Sequence, residues 1–163
     1  MLKLEDVSCL FDDQLIVLMG DFNARIGNNS CSAYTYNNNL SDDRNSMDNC
    51  ANIRGKQLLD FCGNNQLTVL NGRYISDSEG EFTFIETTCA SIIDYILVNN
   101  IAVDYVNDMN VCQSTHSAHS ALQLTLNLNG NNFGRSRIVA KPKIILMKQK
   151  KNRISRSLQK QCG

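Results

Sequence analysis

Five apolar residues in a row, Leu15-Ile16-Val17-Leu18-Met19, stop abruptly at Gly20-Asp21. An unbroken apolar run of that length reads as a strand buried on both faces, the kind found in the middle of a covered sheet rather than in a sheet with one wet face. Both of its faces must therefore be covered by other elements, and the fold class expected is α/β. No apolar run approaches the roughly 20 residues that cross a bilayer. The acidic start Met1-Leu2-Lys3-Leu4-Glu5-Asp6 gives no apolar leader either, so no membrane association and an intracellular location, nucleus or cytoplasm, are expected.

Around this strand the sequence lays out further elements. Leu4, Val7 and Phe11 stand at helical spacing ahead of it, and Asn28 to Asn49 is an aperiodic, Asn-rich stretch that reads as a long loop. From Asn52 to Asn64 the residues Leu58, Leu59, Phe61 and Cys62 cluster on one side of a helix that Gly63 and Asn64 are placed to stop. Thr68-Val69-Leu70 reads as a strand. Phe82 to Ile85, Ile92 to Val98 and Val103 to Val106 read as short β-rich stretches between turn residues. Leu122, Leu124, Leu126 and Leu128 alternate with polar residues, the period of a strand with one wet face.

The 163 residues are 42% hydrophobic and 20% charged, the composition of one folded domain. Seven scattered cysteines with no C-x-x-C pair read as reduced thiols. The formal net charge of zero hides an asymmetry: all sixteen acids and six of the sixteen Lys and Arg precede Gly134, leaving −10 before it and ten cations with no acid after it. Gly130-Asn-Asn-Phe-Gly134 has the composition of a linker, so residues 1–129 are expected to form the domain and 130–163 a basic linker or disordered tail.

Three segments carry side chains suited to chemistry. In Gly20-Asp21-Phe22-Asn23-Ala24, just past the buried strand, Asp21 and Asn23 point the same way on an extended chain while Phe22 faces inward. A carboxylate can take a proton from water or hold a metal, and a neutral amide beside it donates to a phosphate oxygen without adding negative charge. By spacing alone, an Asp and an Asn after a strand more often form a turn. In Ser91-Ile92-Ile93-Asp94-Tyr95-Ile96 an acid interrupts an apolar strand, so Asp94 needs a specific partner unless it reaches solvent at a strand end. Ser114-Thr-His116-Ser117-Ala118-His119 holds both histidines of the chain, either of which could be that partner.

Taken together the three segments resemble the endonuclease/exonuclease/phosphatase superfamily of metal-dependent phosphodiesterases, and most nearly the endonuclease domain of non-LTR retrotransposons. Gly20-Asp21-Phe22-Asn23 is similar to its GDFN element, Ser91-Ile92-Ile93-Asp94-Tyr95 to its S-x-I-D-Y element, and Ser117-Ala118-His119 to its terminal S-D-H. Leu58 to Cys62, Asn71-Gly72-Arg73 and Phe82-Thr83-Phe84 resemble intervening segments, so the likeness runs from about Leu15 to Leu128.

The resemblance implies part of a four-layer α/β sandwich, two stacked mixed sheets flanked by helices, with the N-terminal half missing. It implies catalytic roles for Asp21, Asn23, Asp94 and His119, with Asp21 and Asn23 also near a magnesium ion. Two departures imply impaired catalysis: Ala118 stands where the family has a metal-site Asp, and there is no room before the first strand for the half that supplies a further Glu. The function expected is thus that of a truncated, weakened endonuclease-like phosphodiesterase, and the alternative is a non-catalytic nucleic-acid or protein-binding module. The partners expected are DNA or RNA through the basic tail, and self-association or a second chain that completes the sandwich.

Overall fold

The computed structural model describes residues 15–31, 40–113, 116–127 and the strand at 143–147. The early helical spacing at Leu4 to Phe11 and the linker Gly130–Gly134 lie outside them.

Strand β1 spans Ile16–Asp21, and its neighbours in sequence Val17 and Leu18 are 1% and 2% exposed, so both faces of the strand are buried as the apolar run requires. Helix α1 covers Ile53–Asn64 and β2 covers Leu67–Val69. Then come β3 (Phe84–Glu86), β4 (Cys89–Ser91), β5 (Asp94–Asn99), the short helix α2 (Asn100–Val103), β6 (Val106–Cys112), β7 (Ala121–Leu126) and β8 (Lys143–Met147). The result is an α/β fold with a four-stranded sheet in the order β2-β5-β1-β8 and two two-stranded sheets, β3-β4 and β6-β7.

All pairings are antiparallel except that of β8 with β1. Lys143–Met147 falls in the segment expected to be linker or tail, yet it runs parallel to β1 with Met147 in register with Gly20. Its apolar stretch Ile144 to Met147 is strand-forming sequence, and the basic residues around it mask that locally.

Alternation along β5 builds two cores. Ile96 and Val98 face one cluster with Val17, Ala102, Val103, Met109 and Val111, against which Leu122, Leu124 and Leu126 of β7 pack. Tyr95 and Leu97 face the other cluster with Leu18, Ala24, Ile26, and Leu58 and Cys62 of α1. Both faces of the sheet are thus covered within the described residues, as the apolar run of β1 requires: α1 lies on one face and the β6–β7 hairpin on the other.

Helix α1 starts where Asn52 Oδ1 accepts the Gly55 N–H at 2.7 Å, satisfying one of the helix's first free donors. Gly55 is needed for packing, because a Cβ there would lie 1.8 Å from the main-chain oxygen of Arg25. Two β-rich expectations shift. Val103 ends α2 instead of starting a strand, since Asn99 Oδ1 caps that helix at the Ala102 N–H (3.1 Å), and the strand resumes at Val106. Ile92 and Ile93 lie outside β5 because their N–H groups go to side chains, Asp48 and Thr83, rather than to a neighbouring strand.

Candidate active site

Asp21 ends β1 and Asp94 begins β5, and the antiparallel register makes them direct cross-strand neighbours. Two carboxylates thus meet at the end of the sheet. Beyond them the chain turns: Asp21 Oδ1 accepts the Asn23 N–H at 2.8 Å and Oδ2 accepts from Asn23 Nδ2 at 3.2 Å. Asn23 adopts φ 50°, a left-handed conformation that Asn tolerates better than most residues, so the segment is the tight side-chain-closed turn that spacing alone favoured and not an extended chain. The turn still places Asp21 and Asn23 side by side. Phe22 faces the core as expected, its ring 6.2 Å from that of Tyr95.

Asp94 has the partner its apolar setting demands. His119 Nδ1 lies 3.0 Å and 3.2 Å from the two carboxylate oxygens. An ionised carboxylate only accepts, so Nδ1 carries the proton and donates, which directs Nε2 away from Asp94 on a side chain 40% exposed. Asp94 itself is 7% exposed. Burial pushes its carboxyl above the ordinary carboxylate range, hydrogen bonds from His119 and Thr83 oppose that rise, and the charge of Asp21 adds to it.

The His119 segment is held from the β3 side. Phe84 bridges to His119 with its ring edge-on at 4.9 Å, Ile85 N–H donates to the Ala118 carbonyl at 2.8 Å, and Ser120 N–H donates to the Thr83 carbonyl at 2.8 Å. Ser117 Oγ accepts the His119 N–H at 3.1 Å. Of the two histidines, His119 is the one that meets Asp94, and His116 is exposed. Asp21, Asn23, Asp94 and His119, widely separated in sequence, thus share one site.

Ligand atoms of Asp21, Asp94 and His119 lie within 4.8 Å of one another, the only such trio of metal-ligating side chains among the described residues. Two carboxylates and the Asn23 amide oxygen are hard donors of the kind magnesium takes, since it commonly binds one or two carboxylates and completes its shell with water and substrate phosphate. The donor set suits a hard divalent cation, a class that includes magnesium. It is one acid poorer than the resemblance implies, because Ala118 offers only a methyl group.

Sequence reasoning missed several residues that build the site. Thr83, fully buried, accepts the N–H groups of Ile93 (3.1 Å) and Asp94 (3.0 Å) on its hydroxyl. Asn71 Nδ2 donates to the Asp94 carbonyl at 3.2 Å, and its Oδ1 accepts the Ile96 N–H at 3.0 Å. Asp48, in the stretch read only as a loop, binds Arg25 and the Ile92 N–H. The signal available for Asn71 and Thr83 was the family likeness of the segments that hold them; Asp48 carried none. The chain matches no family model, no curated protein and no solved structure. Among the described residues no helix is long and apolar enough to cross a membrane.

Proposed function

We propose that this chain is a weakened member of the endonuclease/exonuclease/phosphatase superfamily, of the retrotransposon endonuclease type, hydrolysing nucleic-acid phosphodiester bonds with magnesium. The observation that carries this reading is the convergence of the Asp94–His119 pair with Asp21 and Asn23 at one end of the sheet. In this reading Asp21 receives the proton of the attacking water, and Asn23 turns its amide N–H toward a phosphate oxygen. Asp94 accepts the Nδ1 proton of His119 and so aims the ring; with Nε2 also protonated, its N–H meets the scissile phosphate and joins the Asn23 amide in countering charge that develops in the transition state. Asp21 and the Asn23 amide oxygen hold the magnesium, which when bound neutralises phosphate charge. The four-layer sandwich belongs to the same proposal: strands from a second polypeptide, set beside the β6–β7 hairpin, would widen it into a full sheet.

Removing one well-placed acid–base or electrostatic group costs on the order of a hundredfold to ten-thousandfold in rate, so Ala118 makes the chain slow. The test restores the acid. With magnesium and supercoiled plasmid, Ala118→Asp is expected to nick at least about a hundredfold faster than the unaltered chain, and adding Asp21→Ala is expected to abolish the gain. No nicking by Ala118→Asp at any magnesium concentration overturns the catalytic reading.

A second reading is favoured by the charge distribution, ten cations and no acid after Gly134: a binding module for nucleic acid that uses the tail. If about five of those charges meet phosphates, log affinity falls with log salt at a slope of about −4 to −5. Fluorescence anisotropy with a labelled duplex across a salt series measures it, and a slope near zero refutes the tail's role.

A further inference from the structure

Asp48 lies in the polar stretch between β1 and α1 and is 3% exposed, and no reactive group touches it. Its carboxylate nevertheless receives four donors. Oδ2 accepts Arg25 Nε at 2.8 Å and the Ile92 N–H at 3.0 Å, while Oδ1 accepts Arg25 Nη2 at 2.6 Å and the Cys50 N–H at 3.0 Å. Arg25 stands two residues after Asn23, and Ile92 stands two residues before Asp94. One carboxylate therefore joins the loop that carries Asp21 and Asn23 to the segment that carries Asp94.

The join is stiff at each end. The pairing with Arg25 is a two-pronged guanidinium–carboxylate contact, which fixes direction as well as distance. Arg25 is also held through its backbone: its N–H donates to Asn52 Oδ1 at 3.2 Å and its carbonyl accepts the Asn52 N–H at 2.9 Å. Ile92, on the other side, is 1% exposed. Burial alone would raise the Asp48 carboxyl, but the bonds from Arg25, Ile92 and Cys50 outweigh it and hold the group below the ordinary range, so it stays charged.

We infer that Asp48 is a positioning residue that sets the spacing between the Asp21–Asn23 turn and the Asp94–His119 pair. Its effect on rate rests on the phosphodiesterase reading, while its effect on geometry does not. Displacing reacting groups by about 1 Å can cost on the order of a hundredfold even when the altered residue is far from the chemistry. Asp48→Asn makes that displacement, because an amide nitrogen replaces one oxygen and confronts the Ile92 N–H or the guanidinium with a second donor.

The experiment uses the full chain, ¹⁵N-labelled, with two readouts. The first is the His119 Nδ1 proton, which its bond to Asp94 shelters from exchange with water. The second is magnesium-dependent plasmid nicking in the Ala118→Asp background. Asp48→Asn is expected to speed exchange of the Nδ1 proton by about tenfold or more and to lower kcat by about tenfold to a hundredfold with KM little changed. Arg25→Lys, which keeps the charge and loses the two-pronged geometry, is expected to fall between. Val103→Ala, a cavity in the opposite cluster, controls for lost stability and is expected to move neither readout.

An unchanged Nδ1 proton in Asp48→Asn overturns the inference, and so does a Val103→Ala effect of equal size. If Asp48→Asn does not fold, Arg25→Lys decides by the same proton. If no variant nicks plasmid, the phosphodiesterase reading fails and the proton alone decides the role of Asp48.

Discussion

Replacing Gly55 by Ala sets two effects against each other, and their sizes decide the outcome. Inside a helix Ala is favoured over Gly by about 1 kcal/mol, and on that ground alone Gly55→Ala should stabilise α1. The added methyl, however, would sit 1.8 Å from the Arg25 carbonyl oxygen and 2.5 Å from its carbon, both backbone atoms that no rotamer change can move. Either α1 withdraws or the Arg25 segment does, and the paired hydrogen bonds between Asn52 and Arg25 are lost with the movement. Overpacking of this kind costs about 1–3 kcal/mol or more, and each lost bond adds about 1 kcal/mol, so the net expectation is a loss of about 2 kcal/mol or more. With a urea m-value of about 2 kcal/mol/M, the unfolding midpoint falls by about 1 M. Gly63 in the same helix is the control, since a Cβ there meets only Cys31 Sγ at 3.9 Å, an ordinary contact. Gly63→Ala is expected to leave the midpoint unchanged or raise it slightly. A midpoint for Gly55→Ala equal to or above that of the unaltered chain would show that α1 does not press on Arg25 as described.

Tyr95→Phe is expected to cost about 2 kcal/mol in the same urea assay, because the hydroxyl donates to the Ile92 carbonyl at 2.7 Å and its loss leaves buried backbone groups without their partner. Asn71→Ala is expected to cost about 2–3 kcal/mol, as the buried Ile96 N–H loses its acceptor; it should also reduce nicking in the Ala118→Asp background. For pH dependence, Asp48 has a depressed pKa, so its stabilising contribution is present above the unfolded carboxylate pKa and is lost as pH falls below it. The gap in unfolding midpoint between Asp48→Asn and the unaltered chain is accordingly wide at pH 7 and narrows below about pH 4; a gap that widens on acidification refutes the assignment.

Much of the scaffold was legible because its signals are local. The run Leu15 to Met19 announced β1 by lacking any polar interruption, the spacing of Leu58 and Cys62 with Asn52 ahead announced α1, and the alternation at Leu122 to Leu126 announced β7. Asp94 was legible for the opposite reason: a charge in an apolar strand is costly, and the cost implied a partner. Which histidine supplied it was not legible, because His116 and His119 differ only in how the turn before β7 aims them against β3. The roles of Asp48, Asn71 and Thr83 were not legible on similar grounds. Each acts by a side chain binding a distant backbone N–H, and such bonds leave no period in the sequence. The strand at Lys143–Met147 was hidden by its setting, since the surrounding lysines outweigh four strand-forming residues in any average over the tail.

The parallel pairing of that strand with β1 changes how the C-terminal charges can be dissected. A cut after Gly134 discards not only cations but the neighbour that satisfies one whole side of β1, leaving raw main-chain donors and acceptors along the strand that ends in Asp21. Such a shortened protein would clump or distort the end of the sheet that carries Asp21, and any loss of nucleic-acid affinity would then be misread as an electrostatic effect. Stopping the chain after Met147 removes six of the ten cations and leaves the sheet intact, which makes it the informative place for the scissors.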